Sequence, residues 1–231
     1  MKVSVCVAAL FLAATGFAKE TVPERLQTAT EVFNEIMSTP DKSIPGDLIA
    51  KAQCAVIVPG LKKGAFIVGG EFGKGFVICR NSRRGWGAPA AIRVEGGSFG
   101  FQIGGEGTDV VMLIMNQRGV DQLSKSKFTL GGDASIAAGP VGRESSAQTD
   151  AYMTAEILSW SRSRGLFAGI ALKGATLRPD EDANKELYGK RLVTHEIISG
   201  NMQPPSAASG LIAALDAQSM HKGGNADRER K

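Results

Sequence analysis

Hydrophobic positions recur at helical spacing near the start of the chain. Between residues 26 and 37 the apolar side chains follow one another at intervals of three or four, which places them on one face of a helix. Thr21 precedes this segment and Glu24 follows three residues later, the pattern of a capping box. Pro40 and Pro45 then interrupt the chain, and residues 47–53 predict a second, short helix.

From residue 54 the pattern changes to short apolar runs separated by glycine, proline or polar turns, which predicts closely spaced strands. A brief helix is expected at 117–124, and a longer one from Pro179 to Tyr188 with Gly189 as its stop. The expected class is α+β: a mostly antiparallel, curved sheet or partial barrel with N-terminal helices and a C-terminal helix packed on it. The predicted strands are 54–58, 64–68, 75–79, 90–94, 97–104, 109–115, 127–130, 134–138, 155–160, 166–172 and 175–177.

Glycine is concentrated in the predicted sheet. Of the 29 glycines, nineteen lie between Gly60 and Gly142. Glycines inside strands mark bulges, bends and close backbone approach. Their density therefore indicates a strongly curved sheet.

The first 18 residues have the pattern of a secretory signal peptide. Lys2 is followed by an apolar stretch, residues 3–14, and the small residues Gly16 and Ala18 occupy the positions that a signal peptidase recognises. The expected organisation is a signal peptide at 1–18, one domain at 19–198 and a flexible C-terminal tail at 199–231 with a short helix. The protein is accordingly expected to be exported, to the periplasm or the cell envelope.

Two cysteines remain after such cleavage. Cys6 lies in the removed segment, whereas Cys54 and Cys79 both lie in strand-like apolar runs. In an oxidising compartment this pair is compatible with a disulfide if the two strands are neighbours. It is equally compatible with two buried thiols that act as small hydrophobic side chains.

The motifs that resemble catalytic or phosphate-binding sites each lack a required neighbour. Residues 96–100 match G-x-S-x-G around Ser98, but a strand-like run follows in place of the helix that a nucleophile elbow needs. The glycine run at 69–75 lacks the spacing of a phosphate loop and predicts a hairpin. Metal ligands do not cluster. The sequence therefore predicts no enzyme, no metal and no cofactor, with a serine hydrolase using Ser98 as a remote alternative.

Basic and aromatic residues alternate in two places. Arginine guanidinium groups bind phosphate, and indole rings favour the headgroup region of a membrane. The same pattern is typical of solvated turn charges beside core tryptophans, and the net charge is only +4. The candidate lipid contacts are Lys62, Lys63, Arg80, Arg83, Arg84, Trp86, Trp160, Arg162 and Arg164.

Eight segments, in order along residues 26–189, resemble the SYLF domain, a lipid-binding module of yeast actin-patch proteins, plant FYVE-containing proteins and exported bacterial proteins. They are CAVIVPG (54–60), GAFIVGG (64–70), WGAPA (86–90), GSFGFQIG (97–104), EGTD (106–109), LGGDA (130–134), AAGPVGR (137–143) and SRSRGLFAG (161–169).

The resemblance implies phospholipid binding, of phosphoinositides in eukaryotic relatives, and no known catalytic residue. The first helix is net acidic here, which moves the expected contact to arginines on the loops of the sheet. The expected partner is an anionic phospholipid membrane. Actin is not expected for an exported bacterial protein, and neither is nucleic acid. The alternative is an envelope scaffold that binds another protein by an exposed sheet edge.

Overall fold

The computed structural model describes residues 20–39, 43–65, 69–81, 85–98, 107–142, 154–163, 166–170, 172–199 and 202–220. Its helices are α1 (Val22–Ser38), α2 (Gly46–Lys51), α3 (Gln117–Leu123), α4 (Glu181–Tyr188), α5 (Thr194–Ile198) and α6 (Ser209–Met220), with a 3-10 turn at Ser206–Ala208 before the last. Its strands are β1 (Cys54–Ala65), β2 (Gly69–Cys79), β3 (Ala90–Ser98), β4 (Gly107–Ile114), β5 (Phe128–Thr129), β6 (Ile136–Ala138), β7 (Ile157–Ser163), β8 (Leu166–Gly169) and β9 (Thr176–Pro179).

Helix α1 begins where the sequence predicts. The Thr21 side chain accepts from the Glu24 amide at 3.3 Å, and the Thr21 amide donates to the Glu24 carboxylate at 2.8 Å. Both bonds satisfy backbone or cap groups that a helix start otherwise leaves open. The predicted apolar face, with Leu26 and Phe33 fully buried, packs on the sheet.

The nine described strands form one curled open sheet in the order β5-β9-β3-β2-β1-β4-β7-β6, with β8 paired to β7. Adjacent strands run antiparallel, except that β6 lies parallel to β7. The α+β class with a mostly antiparallel curved sheet is thereby confirmed. One face of the sheet packs on α1, α2 and α6 around Ile57 and Phe76, and the other buries Val77, Met112 and Ile197.

Strands β1 and β2 are longer than predicted. Pro59 and Gly60 do not end β1 but lie in a bulge, where Gly60 has a φ of +56°. The bulged strand crosses close to β2, and a Cβ on Gly75 would lie 2.1 Å from the Ile57 carbonyl oxygen. The glycine run predicted as a hairpin is thus a strand from Gly69 onward, because glycine permits this approach.

The question left open for the cysteines is answered by the strand register. Cys54 and Cys79 are directly paired on β1 and β2 and are joined by a disulfide. The bond links two central strands of the sheet, and both cysteines are buried.

The C-terminal region differs from the flexible tail predicted at 199–231. Helix α6 packs on α1 and α2, with Leu211 and Leu215 fully buried. The predicted short helix is present, but it belongs to the domain. Residues 221–231 and the predicted signal peptide at 1–18 lie outside the described residues.

Candidate functional site

The helices cover only part of the sheet face on which α1 packs. Along β2 the side chains of Phe76 and Ile78 lie under the helices, whereas Phe72 and Lys74, on the same face by the two-residue period of a strand, lie further along. Phe72 is 47% exposed. Beyond Phe76, therefore, the helices that the structure describes leave this part of the sheet uncovered.

Two rows of cross-strand neighbours occupy this uncovered part. The rows are two residues apart along β2 and β3, about 7 Å, and neighbouring strands are about 5 Å apart. We call them the outer row, formed by Lys62, Phe72, Glu95 and Thr176, and the inner row, formed by Lys74, Arg93 and Arg178.

The inner row lies beside the start of α4. Lys74 donates to the Asp180 carboxylate at 2.7 Å, and Asp180 caps α4 through the Ala183 amide. One turn later, Asn184 clips the helix to β3: its side chain accepts from the Ala91 amide at 2.7 Å and donates to the Ala91 carbonyl at 3.2 Å. These bonds hold the start of α4 against β2 and β3, so that the cations of the inner row lie at the edge of the helix-covered region.

The two rows carry an excess of positive charge. Arg93 and Arg178 both approach Glu95, with Nε to carboxylate distances of 2.8 and 3.3 Å. Four cations in the two rows stand against the carboxylates of Glu95 and Asp180, which leaves an excess of two positive charges. The surface has the composition to attract an anion.

Sequence reasoning found only Lys62 of these residues. Lys62 is exposed and lies in the outer row, and Lys63 follows it on β1, opposite Glu71 in the backbone register of β2. Lys74 lies in the glycine run, which was interpreted as a hairpin. Arg93 and Arg178 have no aromatic neighbour in the sequence, so the search for alternating basic and aromatic residues did not select them. The usable pattern was the alternation of polar and apolar residues at 92–95, which places Arg93 and Glu95 on one face.

Two predicted arginines are held within the fold. Arg162 donates to the Asp109 carboxylate at 2.8 Å and also pairs with Glu35 of α1. Arg80 donates to the Ile49 carbonyl at 3.0 Å and stacks over the Trp86 ring at 4.1 Å. Burial lowers the pKa of the Arg80 guanidinium from its ordinary value, and the charge of Asp216 opposes this shift.

Burial affects the partner of Arg162 as well. The pKa of the Asp109 carboxyl is raised from its ordinary value by burial, while a hydrogen bond from the Gly60 amide, at 2.9 Å, acts in the opposite direction. Asp109 therefore ties the β1 bulge to β7 through Arg162. Arg83, Arg84 and Arg164 lie outside the described residues.

Both tryptophans are buried, so the prediction that they are interfacial anchors is wrong. Trp86 is 2% exposed, and its ring nitrogen donates to Ser219 of α6 at 3.1 Å. Trp160 is fully buried, and its ring nitrogen donates to the Pro140 carbonyl at 2.9 Å. Each indole found a hydrogen-bond partner inside the protein, which is how buried tryptophan is usually accommodated.

Large apolar side chains are instead exposed at one end of the sheet. Leu166, at the start of β8, is 75% exposed and pairs with Ser163 at the end of β7. Through the register of β7, β4, β1 and β2, this end of the sheet also contains Lys62 and Phe72. Two exposed apolar residues therefore lie at the end of the sheet that carries the outer row.

The described residues supply no complete catalytic constellation. Ser98 ends β3, paired with Gly69, and the next described element is the strand β4. A cleft of about 190 Å³ elsewhere contains Ser124 and His195, whose Oγ and Nδ1 atoms are 3.3 Å apart. No carboxylate among the described residues hydrogen-bonds to His195, and the nearby Asp121 accepts instead from Gln117.

The described part of the chain also lacks two other features. It contains no group of three His, Cys, Asp or Glu residues placed to hold a metal. Within the same residues, no helix is both long enough and apolar enough to cross a membrane.

Comparison with known proteins gives a family. Residues 95–218 match the model of the family described as "Ysc84: Las17-binding protein actin regulator". The SH3 domain-containing YSC84-like protein 1 of Homo sapiens is 36% identical over 188 residues, 80% of this chain and 55% of the relative. The LAS seventeen-binding protein 3 of Saccharomyces cerevisiae is 32% identical over 212 residues, 87% of this chain and 46% of the relative.

The chain spans about half the length of these curated relatives. The matched region of the family model includes β4 to α6, and the relatives also cover most of the remaining domain. The resemblance found in the eight sequence segments is confirmed. The chain belongs to the Ysc84 (SYLF) family.

Proposed function

We propose that this protein binds anionic phospholipid at a membrane surface, without catalysis, through the basic rows and the adjoining end of the sheet. The observation that carries the proposal is the exposed Phe72 between Lys62 and the cations of the inner row. An apolar side chain flanked by lysine and arginine is the composition of a peripheral membrane contact.

The expected binding energy is modest. Each lysine or arginine near an anionic surface contributes about 1 kcal/mol, so an excess of two positive charges supplies about 2 kcal/mol. Burying the exposed half of Phe72 in the headgroup region adds about 1 kcal/mol. A sum of about 3 kcal/mol favours reversible binding that strengthens with the anionic fraction of the membrane and weakens with salt.

The test is co-sedimentation of the purified protein with phosphatidylcholine vesicles that contain a graded fraction of phosphatidylglycerol. Lys62→Glu changes the local charge by two, so we expect it to weaken binding by about tenfold or more. Lys51→Glu is the matched control, because Lys51 is also exposed but lies at the opposite end of β1, in α2. Equal pelleting with neutral and anionic vesicles, or equal effects of the two variants, would contradict the proposal.

The apolar contribution has a separate test. We expect Phe72→Ser to weaken vesicle binding by about fivefold while leaving the salt dependence unchanged. Unaltered binding by this variant would remove Phe72 from the contact and leave a purely electrostatic one.

A second candidate function follows from the names of the relatives. The family description and the yeast relative's name both refer to binding of a protein, Las17. The corresponding proposal is a scaffold that binds another protein in the cell envelope, where residues 1–18 would direct this chain. One stoichiometric partner captured from envelope extracts, with no vesicle binding, would favour the scaffold. Detection of residues 1–18 on the protein isolated from cells would contradict export with cleavage.

A further inference from the structure

We propose that Arg93 and Arg178 form a clamp for a single phosphate group, which lies in the inner row behind Phe72. The two arginines are directly opposite each other on β3 and β9. Like charges in this position destabilise a sheet. Both side chains are more than one-third exposed, so neither is needed to fill the core.

The ion pairs with Glu95 are made through one nitrogen of each guanidinium group. Both arginines approach the one carboxylate of Glu95 through Nε, and each Nε is buried and lacks the geometry of a hydrogen bond. Two guanidinium groups therefore share one negative charge. A guanidinium group presents its nitrogens as a planar fork that matches two oxygens of a phosphate.

The spacing suits one phosphate between two forks. Neighbouring strands are about 5 Å apart, and a charge-assisted hydrogen bond to an oxygen spans about 2.8 Å on each side. Lys74, on the other side of Arg93, is already neutralised by Asp180 at 2.7 Å. The clamp therefore consists of the two arginines, and Lys74 contributes only to the electrostatic potential around them.

The position of the clamp connects it with the membrane contact. Phe72 is the direct neighbour of Glu95, one row away from the arginines. When Phe72 reaches the boundary between headgroups and acyl chains, the clamp lies about 7 Å behind it along the strand, within the headgroup layer. The inference rests on the proposed function for the source of the phosphate, which is a lipid headgroup; free phosphate is the other source.

The first experiment compares vesicles of equal surface charge that contain either phosphatidic acid, which has a terminal phosphomonoester, or phosphatidylglycerol. The wild-type protein is expected to prefer phosphatidic acid by about tenfold. Arg93→Lys/Arg178→Lys keeps both charges but removes the forks, so it is expected to lose this preference and retain binding to both vesicles. Arg191→Lys, at an exposed arginine beyond α4, is the matched control.

A second variant, Glu95→Gln, is expected to strengthen binding, whereas the double lysine variant weakens the preference for phosphatidic acid. Glu95→Gln removes the carboxylate that competes for both arginines, so we expect it to bind phosphatidic acid vesicles several-fold more tightly. This gain cannot come from misfolding. An unchanged preference in the double lysine variant, or weaker binding by Glu95→Gln, would overturn the clamp.

Inorganic phosphate separates the clamp from the membrane proposal. If the wild type binds no vesicles, the proposed function fails. The clamp then stands only if inorganic phosphate raises the melting temperature of the wild type at constant ionic strength and leaves that of Arg93→Lys/Arg178→Lys unchanged. If phosphate protects the wild type but the wild type binds vesicles of phosphatidic acid and phosphatidylglycerol equally well, the source is a soluble phosphate. If neither probe distinguishes the variant from the wild type, the clamp is excluded.

Discussion

The disulfide between Cys54 and Cys79 is expected to contribute about 3.5 kcal/mol to the free energy of unfolding. The two cysteines are 25 residues apart, and the loop-entropy relation for cross-links gives about 3.5 kcal/mol for such a loop at 25 °C. The reduced thiols would remain buried as small hydrophobic side chains, so the loss arises mainly from the freer unfolded chain. With a urea dependence of about 2–3 kcal/mol per molar, reduction lowers the unfolding midpoint by about 1–2 M.

The assay is urea unfolding followed by circular dichroism, with and without a phosphine reductant, and with a thiol count in denaturant to establish the redox state. Cys54→Ala/Cys79→Ala is the control. It should unfold at or below the midpoint of the reduced wild type, and the reductant should not affect it. Equal midpoints for oxidised and fully reduced wild type would refute the reasoning, because the cross-link would then not restrict the unfolded chain.

Three further predictions concern the packing described above. Gly139→Ala should destabilise the protein by about 1–3 kcal/mol, because the new Cβ would lie 2.1 Å from the Trp160 ring; Gly132→Ala, with its nearest neighbour at 3.5 Å, is the control in thermal unfolding. Asn184→Ala should cost about 1–3 kcal/mol in urea unfolding, since it removes the clip to β3, and wild-type stability would argue against that clip. Because Trp86 and Trp160 are buried, anionic vesicles should leave the fluorescence emission maximum unchanged, and a blue shift on binding would contradict the burial.

The local elements were predictable where the chain specifies them through near neighbours. The capping box of Thr21 and Glu24 defines the start of α1, and Asp180 with Gly189 defines the two ends of α4. These patterns depend on hydrogen bonds between residues a few positions apart. The sequence therefore contains all the information that they require.

The basic rows were not predictable, because they depend on the register of distant strands. Arg93 and Arg178 become neighbours only when β9 pairs with β3, and Lys62 meets Phe72 only after the β1 bulge shifts the pairing. A shift by one residue moves a side chain to the other face of the sheet. The sequence therefore indicated a basic surface without showing which cations form it.

The tryptophans, in contrast, were selected as membrane contacts although they are buried. Adjacent arginines suggested an interface, but Arg80 stacks on Trp86 inside the protein and Arg162 pairs with Asp109. Proximity in the sequence does not distinguish a membrane contact from an internal cation–π pair or ion pair. For Arg162 the deciding partner is Asp109, 53 residues away, and for Trp86 it is Ser219 of α6, 133 residues away, which binds the buried ring nitrogen.

The packing of α6 on α1 has a consequence for how this domain is combined with others. The first and last helices of the described domain lie in one layer, in contact with each other. Because the first and last elements of the described domain are helices outside the sheet, further sequence can be joined to either of them without interrupting a strand. The relatives are about twice as long as the matched region, and this arrangement allows additional modules to be attached through the terminal helices.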